Sequence, residues 1–158
     1  MAQQFDDQQW PELSEFRQAC LDNDIDKMNR IAARNHRWYE NENPENLPLA
    51  ELAHVYQAQW YVQIENLGAL KQVVESHLWT VNQPWTAQCW LPVSQAAFTH
   101  GNRKIIGYLV DQGADLSLLV GAPDDWASIV EMARYGNNHE LANWLEEIMG
   151  NGAAWGST

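Results

Sequence analysis

Residues 22–26 (DNDID) have the alternating acidic pattern with which a calcium-binding loop begins, so metal binding is the first chemistry to consider. Such a loop also needs a glycine at its sixth position and, at its twelfth, a glutamate that binds through both oxygens. Those positions hold Lys27 and Ala33. We therefore interpret the segment as an acidic turn that begins a helix, because a helix N-terminus favours negative charge.

The five histidines and two cysteines are the other residues that could bind a metal or attack a substrate. No two of them have the HxxxH, HExxH or CxxC spacing that zinc sites use. The nucleophile-elbow, phosphate-loop and dinucleotide-binding motifs are also missing. We expect Cys20 to be a small buried helix residue and Cys89 to lie in a loop, where a base brought close by the fold stays an open alternative. The sequence thus predicts no cofactor and no metal.

Two acidic pairs could be taken for the carboxylates of an acid–base catalyst: Asp124 with Asp125, and Glu146 with Glu147. Adjacent residues on a helix point in different directions, so we favour a solvated acidic face. A hydrolase that gathers scattered carboxylates in a groove is the alternative, and it requires two titratable groups that face each other in a pocket. Our main expectation is that the chain is not an enzyme.

The chain is strongly acidic: 21 Asp and Glu against 9 Lys and Arg give 158 residues a formal net charge of -12. From residue 111 onward there are eight acids and one base, Arg134. This charge repels nucleic acid and anionic membranes and favours a basic protein partner. We therefore expect a protein partner, no nucleic acid and no membrane.

Composition places the chain among small globular proteins. Its 46% hydrophobic residues can form one core, and two cysteines do not make a disulfide framework. No run of about 18 apolar residues is present, and no basic segment followed by an apolar run opens the sequence. We expect a cytoplasmic protein that is a monomer or a weak oligomer.

Four segments resemble one another: ACLDNDIDKMNRI, YVQIENLGALKQVV, AFTHGNRKIIGYL and ARYGNNHELANWL. Each has a polar turn centred on Asn or Gly, followed by the apolar pattern of a second helix. If Lys27, Ala69, Ile105 and Leu141 are equivalent, the steps between units are 69 − 27 = 42, 105 − 69 = 36 and 141 − 105 = 36 residues. We therefore predict four helical hairpins.

Caps mark where these helices begin and end. Ser14 and Ser128 stand where a unit's first helix should begin, and Ser128 opens an S-x-x-E capping box. Pro92 holds the same place in the third unit and suits a first helical turn. Gly113 should end the third unit's second helix in the left-handed conformation, and Asn35 should do so in the first unit. Residues 47–64 read as one long helix, and we expect little sheet.

Residues 92–115, PVSQAAFTHGNRKIIGYLVDQGAD, resemble the ankyrin repeat pattern TPLHxAAxxGHxEIVxLLLxxGAD. Residues 128–145 resemble a C-terminal capping unit and residues 16–35 an N-terminal one. Pro92 and Gln95 replace the family's Thr and His, so the hydrogen bond that this pair makes is lost, and the second unit departs further. The resemblance implies stacked antiparallel helix pairs whose inner helices and projecting loops bind proteins, and it implies no activity.

The predicted fold class is therefore all-α: an ankyrin-like α-solenoid of stacked helix-turn-helix repeats with long inter-repeat loops. We divide the chain into an N-terminal segment (1–13), a repeat domain (14–149) and a mobile C-terminal tail (150–158). The predicted inter-repeat loops are residues 34–46, 77–91 and 113–127.

These loops carry five of the nine tryptophans. The predicted partner-binding residues are Trp38, Tyr39, Trp79, Trp85, Trp90, Asp124, Asp125 and Trp126. They would form an aromatic strip, since Trp and Tyr are frequent binding hot spots, with Glu40 and Glu42 also at its rim. The open alternative is that the loops fold back and use the rings as a small core. Trp60 and Trp144 lie within helices, so we expect them to be buried.

The function predicted from the sequence is a non-enzymatic protein-binding module, and within that class an inhibitor or immunity-type protein that neutralises a basic partner. An adaptor or regulatory subunit that scaffolds an enzyme is the alternative. Mimicry of nucleic acid by the carboxylates is a further one, but eight late acids do not make a regular row of charges.

Overall fold

The computed structural model describes residues 12–85, 90–122 and 125–150, and this part of the chain is mostly helical. The helices are α1 Leu13–Leu21, α2 Ile25–Arg34, α3 His36–Glu42, α4 Leu49–Gln63, α5 Leu67–Ser76, a 3-10 helix Leu78–Asn82, α6 Pro92–Thr99, α7 Arg103–Asp111, α8 Ile129–Tyr135 and α9 His139–Gly150. Strands β1 (Val120–Ala122) and β2 (Asp125–Ala127) pair antiparallel, with Gly121 opposite Trp126. The predicted all-helical class and small sheet content are confirmed.

The remaining residues are 1–11, 86–89, 123–124 and 151–158. Most of the two predicted terminal segments, and also Cys89 and Asp124, lie outside the described residues. None of the helices within the described ranges is long and apolar enough to cross a membrane.

Each of the four similar segments forms a helical hairpin: α1–α2, α4–α5, α6–α7 and α8–α9. The turn of each hairpin contains one residue with a left-handed backbone, Asn23, Glu65, Gly101 or Asn137, with φ between 56° and 65°. These residues are 42, 36 and 36 positions apart, the same steps as between the aligned segments. Asparagine and glycine adopt this conformation readily, whereas Glu65 shows that the turn geometry overrides residue preference.

Three of the four second helices begin with the same cap. The side-chain oxygens of Asp24, Asn66 and Asn102 accept a hydrogen bond from the backbone N–H three residues later, at 3.2, 3.1 and 3.2 Å. Such caps satisfy a backbone donor that the helix itself leaves free. The DNDID segment is therefore a helix-capping turn, as we interpreted it from the sequence.

The predicted helix starts are right at two of three places. Ser128 and Glu131 form the reciprocal capping box, with bonds of 3.1 and 2.9 Å, and Pro92 is the first residue of α6. Ser14 is wrong, because α1 begins one residue earlier and Glu12 precedes it. The Glu12 carboxylate does not cap α1. It accepts hydrogen bonds from the side chain of Arg34, the last residue of α2, and from that of Asn35, which follows α2.

The two predicted helix stops differ in outcome. Gly113 follows α7 with φ of 103°, as expected for a left-handed stop. Asn35 has φ of -125°, so its predicted left-handed stop is wrong. Its amide instead donates to the Ile31 carbonyl at 2.8 Å, and α3 begins at the next residue. The predicted loop 34–46 therefore contains a helix.

The hairpins stack through their first helices, because α1, α4, α6 and α8 contact one another in chain order. Two hydrophobic clusters result, and α4 contributes to both. Leu52 and Tyr56 belong to the N-terminal cluster with Phe16, while Val62 belongs to the larger C-terminal cluster with Leu70. The long helix predicted for residues 47–64 is present as α4, and it joins the first hairpin to the rest.

Candidate functional site

A cavity of about 240 Å³ lies between α1 and α4, and Trp85 also lines it. Its lining residues are Ser14, Arg17, Gln18 and Leu21 of α1, Tyr56, Gln59, Trp60 and Gln63 of α4, and Trp85. Each of the four α4 residues stands 42 positions after one of the four α1 residues, which is the step between the first two units. The α1–α4 cavity therefore lies between equivalent faces of two successive first helices.

Three buried polar atoms of residues that line the cavity have no hydrogen-bond partner within the described ranges. They are Arg17 Nε, Gln59 Oε1 and Trp85 Nε1. Gln59 is only 1% exposed. A buried donor or acceptor without a partner destabilises a fold by about 1–3 kcal/mol, so native structures contain few of them. Three residues that line the α1–α4 cavity thus each carry one buried polar atom that the fold leaves unpaired.

The orientation of the Gln59 amide is fixed by its other end. Gln59 Nε2 donates to the Trp90 carbonyl at 3.2 Å, which leaves Oε1 as the unpaired atom. The same carbonyl accepts the backbone N–H of Trp85 at 2.8 Å. Trp85 and Trp90 are therefore held together as an isolated bridge beside α4.

A buried carboxylate lies behind the cavity. Glu42 is 3% exposed and accepts hydrogen bonds from the Tyr56 hydroxyl and from Arg17 Nη2, the latter at 3.3 Å. The sequence placed Glu42 at an exposed rim, and that prediction is wrong. Because residues 36–42 form a helix rather than a loop, Glu42 ends that helix beside the two donors.

The electrostatics of this group keep the Tyr56 hydroxyl protonated and Arg17 positively charged at neutral pH. Burial, followed by the nearby Glu42 carboxylate, raises the pKa of Tyr56 well above its ordinary value, so the hydroxyl keeps its proton. Burial alone would lower the pKa of Arg17, but Tyr56 and Glu42 raise it overall. The positive charge of Arg17 is thus compensated by Glu42.

Aromatic rings position the Arg17 guanidinium. Its central carbon lies 5.9 Å from the ring centre of Tyr56 and 5.6 Å from that of Trp85, within the range of cation–π attraction. The Tyr56 and Trp85 rings themselves meet edge to face at 5.5 Å. Arg17 is therefore fixed between a carboxylate and two rings, with its Nε left unpaired.

The predicted partner-binding residues do not share one environment. Four are partly buried against the hydrophobic clusters: Trp38, Tyr39, Trp85 and Trp90. Trp79 and Trp126 are exposed, at 40% and 46%. Asp125 lies in β2, with its side chain outside the described part, and Asp124 is also outside it. Among these residues, the structure brings Trp85 and Trp90 together.

Sequence reasoning missed the first-helix residues of the α1–α4 cavity. Trp60 was expected to be buried but is 41% exposed, and it lines the cavity. The equivalent position on α1 is the exposed Gln18, so the repeat alignment already contained this information. Trp144 is partly buried against the C-terminal cluster, as expected.

Cys20 is a buried free cysteine. Burial, followed by Glu42, raises the pKa of the Cys20 thiol, so this cysteine stays protonated and is a poor nucleophile. Within the described ranges, no three His, Cys, Asp or Glu side chains are grouped closely enough to hold a metal ion.

No protein-family model, curated protein or solved structure was found to match the chain. Its function therefore has to be inferred from the chain's own charge, exposed side chains and cavity.

Proposed function

We propose that this chain is a non-enzymatic protein-binding module that recognises a basic protein. The observation that carries the proposal is the exposure of its carboxylates. Of 21 Asp and Glu, four (Asp6, Asp7, Asp124 and Asp125) have no described side chain, which leaves 17. Fifteen of those 17 are exposed, Glu12 is half-buried and Glu42 is buried.

Little of this negative charge is compensated by neighbouring cations. Among the ion pairs of arginine or lysine in the described part, Arg134–Glu146 at 2.7 Å involves an exposed carboxylate. The pairs of Arg17 and Arg34 involve Glu42 and Glu12 instead. An uncompensated field of this kind speeds association with a positively charged surface and discourages acidic partners.

The stacking order of the hairpins supports an ankyrin-like solenoid as the scaffold. In such a stack the first helices form one continuous face, because each contacts the next. Trp60 of α4 and Tyr135 of α8 are exposed large side chains of these first helices, and Trp126 is exposed on β2. Exposed aromatic side chains surrounded by charge are typical of protein interfaces.

The contacts around Glu42 favour binding over catalysis. A general base needs a free lone pair within reach of a substrate, whereas the Glu42 carboxylate is buried and already accepts from Tyr56 and Arg17. Tyr56 and Cys20 keep their protons at neutral pH. The group thus holds Arg17 in place and contributes no reactive atom.

Within the binding class, an inhibitor or immunity-type protein is the form that we favour, because a small acidic module can cover a basic active site directly. An adaptor that holds an enzyme without silencing it uses the same surface. The two are separated by the activity of the partner, measured with and without the full chain. Inhibition identifies the first, and unchanged or increased activity the second.

The proposal is tested by capturing partners with the full-length chain from lysate of the organism that encodes it. The captured protein is then purified and its association rate and affinity are measured at low and high salt. We expect a basic partner whose association slows about tenfold or more at high salt. Binding that is insensitive to salt, to a partner that is not basic, would contradict the proposal.

A matched pair of charge variants locates the interaction. Glu140→Gln with Glu147→Gln removes two exposed carboxylates of α9, and Asp26→Asn with Glu51→Gln removes two exposed ones of α2 and α4. Both double variants change the net charge from -12 to -12 + 2 = -10. If the acidic C-terminal hairpin faces the partner, the α9 variant weakens binding more.

A further inference from the structure

The exposed face of the β1–β2 hairpin consists of Leu119, Gly121 and Trp126, which we call the Trp126 surface. Val120 and Ala127, which pair with each other, are only 1% and 5% exposed. Trp126 is instead 46% exposed and Leu119 52%. Side chains alternate between the two faces of a strand, so one face of the hairpin is buried and the other is open. We propose that the Trp126 surface binds an arginine side chain of the basic protein partner, an assignment that deepens the proposed protein-binding function and rests on it.

The Trp126 ring lacks the cover that the equivalent tryptophan of the preceding unit has. Trp85 and Trp90 form an antiparallel bridge, as Gly121 and Trp126 do 36 positions later. Trp90 is partly buried against the C-terminal cluster, and its ring meets Phe98 edge to face at 5.2 Å. The later hairpin has the same backbone pairing but leaves its tryptophan ring 46% exposed.

Two differences between the units accompany this exposure. Gly121, opposite Trp126, has φ of 116°, which favours glycine, so no side chain stands across the strand pair. Arg134 stands 36 positions after Phe98, but its guanidinium donates to Glu146 at 2.7 Å. Within the described ranges, neither a cation nor a second aromatic ring lies against the Trp126 ring.

The chain itself places arginine over other tryptophan rings. The central guanidinium carbon of Arg103 lies 5.0 Å from the ring centre of Trp144, and that of Arg17 lies 5.6 Å from the ring centre of Trp85. Arg17 also donates to the Glu42 carboxylate at 3.3 Å. The face of an aromatic ring is negative and attracts a cation, and a carboxylate nearby adds to that attraction.

The charge around Trp126 favours a cation over other side chains. Residues 111–131 contain five acids and no Lys or Arg, a formal charge of -5. Trp79 is almost as exposed, at 40%, but the matching 21 residues around it, 64–84, contain two acids and one base, so 1 − 2 = -1. Such a local negative field attracts a positively charged side chain and repels a carboxylate, while an apolar side chain gains nothing from it.

Arginine fits the Trp126 surface better than lysine. Its planar guanidinium stacks on an aromatic ring and is weakly hydrated, whereas the lysine ammonium group is compact and strongly hydrated. The three methylene groups of the arginine side chain can also pack on exposed apolar surface, which Leu119 supplies. A preference for arginine over lysine therefore separates this contact from attraction by charge alone.

The test uses the full chain labelled with ¹⁵N, without any partner, and two probe peptides of equal charge. These are acetyl-Arg-Gly-Arg-Gly-Arg-amide and the same peptide with lysine in place of arginine. The indole N–H resonance of Trp126 is assigned by its loss in Trp126→Leu. We expect a saturable shift of this resonance and at least about twofold tighter binding of the arginine peptide than of the lysine peptide.

Three variants link the binding to the ring. Trp126→Leu keeps an apolar side chain but removes the ring, so affinity for the arginine peptide, measured from backbone amide shifts, should fall about two- to fivefold. Trp126→Phe keeps a ring and should retain the preference for arginine. Trp79→Leu is the matched control: it removes an exposed ring without the surrounding acids, so its affinity should equal that of the natural chain.

The inference is overturned if the arginine peptide leaves the Trp126 resonance unchanged, if the two peptides bind equally well, or if Trp79→Leu weakens binding as much as Trp126→Leu. Since this titration contains no partner, its failure leaves the proposed binding of a basic protein untouched. Conversely, a salt-insensitive or non-basic partner would refute the proposed function while a specific response to the arginine peptide stood.

Discussion

The first and the last of the three steps of the hairpin stack are built in opposite ways. Between α6 and α8 the chain is tightly closed: a side chain on Gly136 would come within 1.9 Å of the Phe98 carbonyl oxygen. The Asn138 amide also donates to the carbonyls of Ala97 and Phe98, at 2.8 and 3.2 Å. Between α1 and α4 there is instead a cavity, and three of its lining residues each carry a buried polar atom without a partner in the described part of the chain.

The difference shows that stacking itself does not require the cavity. The α6–α8 step buries its polar groups with partners, whereas the α1–α4 step leaves Arg17, Gln59 and Trp85 each with one unpaired atom. Unpaired buried atoms lower stability, so within the described part of the chain the α1–α4 step is the less favourable of the two. The α6–α8 step is thus closely packed, and the α1–α4 step contains open space.

The largest expected effect on stability is at the closely packed α6–α8 step. Gly136→Ala places a methyl group against the Phe98 carbonyl, so α6 and α8 must separate. We expect the free energy of unfolding to fall by about 3 kcal/mol, at the upper end of overpacking effects. Urea denaturation measures it.

Gly107→Ala is the matched control, because Gly107 lies inside α7 and an added methyl group there meets no atom within 4 Å. That substitution should raise the free energy of unfolding by about 0.5–1 kcal/mol, since alanine favours a helix over glycine. A similar loss in both variants would contradict the close contact at the α6–α8 step.

The second largest effect on stability is expected at Glu42, the buried carboxylate that contacts two residues of the α1–α4 cavity. Glu42→Gln still accepts from Tyr56 but leaves Arg17 without its countercharge. We expect a loss of about 2 kcal/mol in the free energy of unfolding, below the roughly 3–5 kcal/mol of a fully buried pair because the Arg17 side chain is 40% exposed. Glu40→Gln, two residues earlier and exposed, should change it by less than about 0.5 kcal/mol.

Substituting an exposed tryptophan and a partly buried one should have different effects on partner binding and on stability. Trp126→Ala should leave the free energy of unfolding within about 0.5 kcal/mol and weaken partner binding, because this ring is 46% exposed. Trp85→Ala should reduce both, since the Trp85 ring packs on Tyr56 and the N-terminal cluster. Calorimetry and urea denaturation of both variants check this, and equal losses of stability would refute it.

The smallest expected effect is a pH dependence at the stacked rings of His54 and His77, whose centres are 3.7 Å apart. Burial, followed by His54, lowers the pKa of His77 from its ordinary value of 6.5. The unfolded chain therefore binds this proton more readily, so stability is fully present above pH 6.5 and falls as the pH drops towards the lowered pKa.

Urea denaturation at pH 7.5 and 5.5, in the natural chain and in His77→Gln, measures this contribution. The His77→Gln variant should lose less stability between pH 7.5 and 5.5 than the natural chain. The loss that remains in the variant comes from the groups that titrate in both proteins. An identical dependence on pH in the two proteins would contradict the lowered pKa.

The sequence predicted those features that depend on a few neighbouring residues. The capping box at Ser128, the proline at the start of α6 and the left-handed Gly113 each involve one turn of chain, so local preference decides them. The hairpins followed from an apolar period repeated at steps of 42 and 36 residues.

What the sequence could not predict depends on contacts between distant residues. Glu42 is buried because Arg17 and Tyr56, 25 and 14 positions away, supply donors, and no local pattern marks such a carboxylate. Asn35 was expected to end a helix, yet it bonds back to Ile31 and a further helix follows.

The most direct measurement compares two buried glutamines of α4 by the unfolding free energies of Gln57→Leu and Gln59→Leu. Gln57 donates to the Cys20 carbonyl at 3.0 Å and to Asn23 at 2.8 Å, so its loss should cost about 1–3 kcal/mol. Gln59→Leu removes an unpaired acceptor, and the Trp90 carbonyl keeps its bond from Trp85. If the open step exists for recognition, Gln59→Leu is as stable as the natural chain or more stable; a loss equal to that of Gln57→Leu would mean that Gln59 serves the fold.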